Sequence, residues 1–136
     1  MTILLDAPAV LTAEAVFDPI GLSDIGFARR WTRRALLGQP AGIVDNAVLA
    51  VSELVSNALQ YGGRRVTLTI AAHRDRIEIT VKDRGIHGAP IIMRPADEHG
   101  RGGHIVNALA DHVQTGRADN GTSVRAILHT TNGARS

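Results

Sequence analysis

Residues 42–61 constrain this chain more than any other stretch. Val44, Ala47, Val48, Val51, Val55, Ala58 and Leu59 recur at i, i+3, i+4 and i+7 spacing, so a helix here carries one continuous apolar stripe. Gly62 and Gly63 follow and predict its end. Two period-two runs come next, Val66, Leu68, Ile70 and then Ile77, Ile79, Val81, joined by a polar turn around Arg74 and Asp75. Alternation of this kind gives a strand one apolar face. A striped helix and a one-faced hairpin bury their apolar surfaces most economically against each other.

The flanking segments extend the pattern. Residues 11–17 read as a strand closed by Asp18-Pro19, and residues 22–37 as a helix with Ser23 as candidate N-cap and Gly38 as its stop. On that helix Ile25, Ala28, Trp31, Ala35 and Leu36 share one arc, while Arg29, Arg30, Arg33 and Arg34 share another. The arginine arc fits a solvated face or a docking surface for an acidic protein. Residues 86–99 contain Gly88 and two prolines without clear periodicity and read as a loop. A helix is expected over 103–113 and a last alternating strand over 122–128. Helices interspersed with hairpin strands, without βαβ repeats, predict an α+β two-layer sandwich formed as one domain over 1–136, with its core at about 11–128.

Composition narrows the function classes. A chain of 136 residues buries about two-thirds of its unfolded surface. Its net charge of +2, from 15 basic and 13 acidic groups, is too small to argue for nucleic acid. Phe17, Phe27, Trp31 and Tyr61 leave few platforms for base stacking. The absence of cysteine excludes disulfides, thiolate metal sites and cysteine nucleophiles. The start of the chain lacks a basic region and Asp6 interrupts its apolar run, so no signal peptide is expected. No apolar stretch is expected to approach the roughly 20 residues that span a bilayer, and a soluble cytoplasmic protein is the expectation. The six histidines are dispersed, and His99 and His104 lack further ligands nearby in sequence.

Three segments carry candidate chemistry. Glu53 and Asn57 lie one helical turn apart on one meridian, with Asn46 further along it, opposite Val51 and Val55 and therefore facing a cleft or solvent. Magnesium takes only one or two protein oxygens beside phosphate oxygens and waters, which suits the Asn57 carboxamide. Glu53 is placed to accept a proton from a hydroxyl or water attacking a terminal phosphate. On spacing alone, both residues equally fit an ordinary surface. Asp83 ends an alternating strand before Arg84 and Gly85. A carboxylate there can accept a hydrogen bond from the exocyclic amine of adenine, where guanine has a carbonyl, and Gly85 lets a base approach the backbone. A plain polar turn is the other reading of Asp83. Gly100, Arg101, Gly102 and Gly103 precede the apolar run from His104 to Leu109. They fit a helix start whose amides face phosphate oxygens, with Arg101 adding charge-assisted hydrogen bonds, or a flexible loop before a core helix. Neither a Walker A loop nor a Rossmann fingerprint is present, and no serine sits in a Gly-X-Ser-X-Gly elbow.

Together, the run from Glu53 to Ala58, Asp83-Arg84-Gly85, Gly100-Arg101-Gly102 and Gly121-Thr122 resemble the N box, the two glycine-rich boxes and the final strand of GHKL-type ATP-binding domains. Within that superfamily the chain looks like the short, single-domain anti-sigma factor and serine-protein kinase family. The resemblance runs from about residue 11 to 128. It implies a Bergerat fold: a mixed, mostly antiparallel sheet covered by helices on one face, with ATP held between the helices and a lid at 86–99. Residue by residue, it implies Asn57 as magnesium holder, Glu53 as general base and Asp83 as the adenine contact. Gly85, Gly100, Arg101 and Gly102 would line the nucleotide, with Thr122 near the base. The implied cofactors are ATP and Mg2+. The implied partners are a sigma factor and an anti-sigma antagonist protein, with the chain itself a homodimer. The chain departs from the pattern at His87, which stands where the family has its second glycine, and at Gly103, where an apolar residue is common.

Three functions are therefore expected in descending order. One is an anti-sigma factor with serine/threonine-protein kinase activity toward its antagonist. Another is a binding module of the same fold that regulates by contact, and the third is a small basic nucleic-acid binder. Glu53 favours the first over the second, and His87 favours the second. Scarce aromatics and near-balanced charge weigh against the third.

Overall fold

A computed structural model describes residues 9–60, 63–85, 110–118 and 121–130. The elements are β1 (Leu11–Phe17), α1 (Ser23–Ala35), α2 (Ala41–Gln60), β2 (Gly63–Ala72), β3 (Arg76–Gly85), β4 (His112–Ala118) and β5 (Gly121–His129). The strands form one sheet in the order β1-β2-β3-β5-β4. Every pairing between these strands is antiparallel, in line with the expected α+β sandwich on a mostly antiparallel sheet.

Register turns the alternation of each strand into rows across the sheet. Ala15, Leu68, Val81 and Val124 form one row, and Ala13, Ile70, Ile79 and Ala126 the next. Paired residues share a face, so these rows make one apolar surface. Helix α2 packs on it through β2, β3 and β5, and α1 packs on α2 and touches β1, so both helices cover the same face. Ala47, Ala50, Val51, Leu54, Val55 and Ala58 of α2 are fully buried there, with Val48 nearly so. Burying each of the large core side chains, such as Leu54, Leu68, Ile70, Ile77 and Ile79, stabilises the fold by about 1.5–3 kcal/mol. The other face is polar, with Glu14, Thr69, Thr80, Arg125 and Gln114 in a single row.

The caps differ from expectation. The N-cap of α1 is Leu22, which makes no side-chain cap hydrogen bond, and Ser23 is the first helical residue. The Gly21 amide instead donates to Asp24 Oδ2 at 2.8 Å, so a first-turn carboxylate ties down the incoming chain. The buried Thr32 hydroxyl donates back to the Ala28 carbonyl at 2.8 Å, which satisfies it inside the helix. Beyond the C-cap Leu36, Gly38 takes φ 97°, the left-handed conformation that favours glycine, and turns the chain toward α2.

Two further expectations are corrected. The sequence pattern places His112 and Val113 at the close of a helix, but they open β4, while residues 103–109 lie outside the described residues. Pairing with β5 sets that outcome, since Val113 faces Ala126 and Thr115 faces Val124 along an edge strand. Helix α2, with 20 residues and a mean hydropathy of 1.2, is long and apolar enough to cross a membrane by length and composition. In this fold the same apolarity faces the sheet.

Candidate functional site

The period-two pattern of β3 carries Ile77, Ile79 and Val81 inward, and the next inward position is Asp83. In β5 the inward series runs Thr122, Val124, Ala126 and Leu128. Register joins the two strands at this end, with Asp83 opposite Thr122 and Val66 on the other side of Asp83. The row Phe17, Val66, Asp83, Thr122 is therefore the last row of the apolar surface, and half of it is polar.

Both side chains are sealed from solvent. Asp83 is 4% exposed and Thr122 5%. Neither carboxylate oxygen of Asp83 nor Thr122 Oγ1 has a hydrogen-bond partner among the described residues. Buried polar groups are normally paired, and leaving one unpaired costs about 1–3 kcal/mol. Desolvation accordingly pushes the Asp83 carboxyl above the ordinary aspartate range. The β5 backbone crosses close by: a Cβ placed on Gly121 would overlap the Asp83 carbonyl oxygen and sit 2.8 Å from its carbon. A ligand that brings donors suits this pair, because an ionised carboxylate only accepts while a hydroxyl both donates and accepts.

The other expected residues are distributed as follows. Asn57 is buried on α2 at 7% exposure, and Glu53 one turn earlier is half-buried. A stripe facing a cleft or solvent is thus only partly right. Asn57 lies at i+3 from Leu54 and i+7 from Ala50, on the flank of the buried arc. Asn46, at the start of the stripe, is exposed. Helix α2 packs on β3 and β5, the strands that carry Asp83 and Thr122. Gly85 ends β3 opposite Gly63. Gly100, Arg101 and Gly102, with His87, Gly103 and the expected lid at 86–99, lie outside the described residues. The sequence expectations do not include the close approach of Gly121, although a glycine in a strand often marks a place where another backbone comes near.

Two other features stand apart from this pair. On the polar face Glu78 receives Arg76 Nε at 2.8 Å, with His73 Nε2 at 3.3 Å and Arg125 at 3.8 Å. Arg76 and Arg125 thus pair with one carboxylate, the second of them across β3 and β5. A cavity of about 360 Å³ lined by Val10, Leu37, Gln39, His73 and Arg74 lies at the opposite end of the sheet from Asp83.

The fold is an α+β domain with two helices on one face of an antiparallel sheet. Residues 22–128 match the family model of the histidine kinase-like ATPase domain, and the chain belongs to that family. Membership implies ATP binding. The structure resembles that of the RsbU and RsbW domains of Rv1364c from Mycobacterium tuberculosis, with a TM-score of 0.66 and 19% sequence identity. That similarity covers 86% of this chain but 31% of the other, so this chain spans about a third of the length of that solved chain. No curated protein matches the sequence.

Proposed function

We propose that this protein binds ATP at the Asp83 end of the sheet and regulates a sigma factor, as an anti-sigma factor that phosphorylates a serine or threonine of an antagonist protein. The observation that carries the nucleotide reading is the buried pair of Asp83 and Thr122, whose side-chain oxygens have no hydrogen-bond partner among the described residues. Adenine presents an exocyclic amine that Asp83 can accept, and Thr122 adds a hydroxyl able to serve either partner. Guanine would set its carbonyl against the carboxylate, so the same pair would select adenine.

Asn57 would hold Mg2+ through its carboxamide oxygen, and Gly85, Gly100, Arg101 and Gly102 would line the nucleotide. Bound magnesium supplies positive charge to the phosphate oxygens. Glu53 would take the proton of the acceptor hydroxyl as its oxygen bonds to the terminal phosphorus and ADP leaves. The sigma-factor and antagonist partners, the homodimer and a cytoplasmic site of action rest on the resemblance to the anti-sigma family and on the likeness to a chain with an RsbW domain. Arg29, Arg30, Arg33 and Arg34 are all exposed on α1 and would meet an acidic partner surface.

Labelled ATP incubated with the purified protein and candidate antagonists tests the kinase reading. Label on a serine or threonine of one antagonist supports it. Nucleotide binding without transfer to any of them would favour the contact-only module, the reading to which His87 points.

A further inference from the structure

We propose that Gly121 is a positioning residue for base selection: its missing side chain lets the Asp83 backbone lie against β5 and so sets the carboxyl at the depth where it meets the base. This rests on the proposed adenine site. A Cβ at Gly121 would overlap the Asp83 carbonyl oxygen and stand 2.8 Å from the Asp83 carbonyl carbon and 3.1 Å from Arg84 Cα. All three atoms belong to the backbone, so no flexible side chain can yield to the methyl group.

What must yield is the contact between the end of β3 and the start of β5. Asp83 and Thr122 are the last pair in the β3–β5 register, and the pairs behind them run through Val81 with Val124 and Ile79 with Ala126. Those four side chains are fully buried and hold the rest of the interface. A methyl group at Gly121 therefore parts the two strand ends, moving Asp83 and Thr122 apart without dissolving the sheet. Hydrogen bonds weaken steeply beyond about 3.2 Å, so a shift of about 1 Å removes the carboxylate from reach of a base amine. Gly121 itself touches no ligand and acts through Asp83.

The test compares ATP with purine riboside triphosphate, which has the same sugar, phosphates and ring but no exocyclic amine. Dissociation constants are measured for wild type, Gly121→Ala and Val124→Ala, the last a core truncation in the same strand. Partial unfolding scales both constants by the same folded fraction, so their ratio reports site geometry alone. Wild type and Val124→Ala should prefer ATP by about tenfold or more, and in Gly121→Ala the ratio should fall to about one. A ratio in Gly121→Ala equal to wild type overturns the role of Gly121 while leaving the adenine site standing. Equal binding of both nucleotides by wild type overturns the site and this inference with it. A second readout needs no variant: the Gly121 amide resonance of wild type should move on adding ATP and far less with purine riboside triphosphate. An unmoved resonance under saturating ATP contradicts the proposal even if Gly121→Ala does not fold.

Discussion

Asp83 and Thr122 face each other as the last inward pair of β3 and β5, and the Asp83 carboxylate and the Thr122 hydroxyl are buried without a protein partner among the described residues. The pairs behind them on β3 and β5, Val81 with Val124 and Ile79 with Ala126, are apolar and fully buried. A carboxylate buried at one end of the core without a partner among the described residues is a locally unfavourable group that a ligand can satisfy.

One consequence is a trade between stability and binding. Asp83→Asn removes a buried charge, so the ligand-free protein should gain on the order of 1 kcal/mol in denaturant unfolding. The same variant should bind ATP about ten- to a hundredfold more weakly, because a charge-assisted contact is worth about 1.5–3 kcal/mol. Urea melts beside calorimetric titrations check both signs on one protein.

The pH dependence follows from the direction of the Asp83 shift. Burial raises its folded pKa above the unfolded value, so the folded state keeps a proton that the unfolded state releases. Its contribution to stability is complete below the ordinary aspartate pKa and is lost as pH rises through the folded value. Unfolding free energies across that window should fall more steeply with pH for wild type than for Asp83→Asn. Binding runs the other way: the base amine needs the ionised carboxylate, so ATP affinity should drop as pH falls through the ligand-free pKa. Proton release on binding, read from titrations in buffers of different ionisation enthalpy, tests this.

Much of this site is legible in the amino-acid sequence. Ile77, Ile79 and Val81 set a period that lands Asp83 inward, and Val124, Ala126 and Leu128 do the same for Thr122. The burial of Asn57 is not legible, because a wheel centred on Val51 and Val55 ignores Ala50 and Leu54, which widen the buried arc. Strand β4 escapes a local reading because its conformation comes from pairing with β5, a non-local cause that overrides a short apolar run. The contact of Gly121 with Asp83 joins residues far apart in sequence, so the strand glycine marks a close approach without naming its partner.

Glu53 and Asn57 should separate chemistry from binding. Glu53→Ala should retain ATP binding and lose phosphoryl transfer by about 10²–10⁴-fold, the range of a general base. Asn57→Ala should lose the magnesium dependence of ATP binding. Single-turnover transfer of labelled phosphate to an antagonist gives the first result, and titrations with and without magnesium the second. Transfer undiminished in Glu53→Ala would remove it from the mechanism.

The α1 arginines should act on encounter with a partner. Arg33 is bound to Asp45 at 2.9 Å with both side chains more than half exposed, a pair worth about 0–1 kcal/mol. Reversing Arg29, Arg30 and Arg34 to glutamate should slow association with an acidic partner about tenfold or more at low salt, with less effect at high salt. ATP affinity should not change, and random duplex DNA should bind little at physiological salt in either protein. Stopped-flow association over a salt series, with fluorescence anisotropy on DNA, makes the comparison.

Calorimetric titration with ATP and GTP, with and without magnesium, tests most directly whether Asp83 reads adenine. Wild type should bind ATP at least about tenfold more tightly than GTP, and Asp83→Asn should close most of that gap. Equal affinity of wild type for the two nucleotides, or a gap that Asp83→Asn leaves intact, would contradict it.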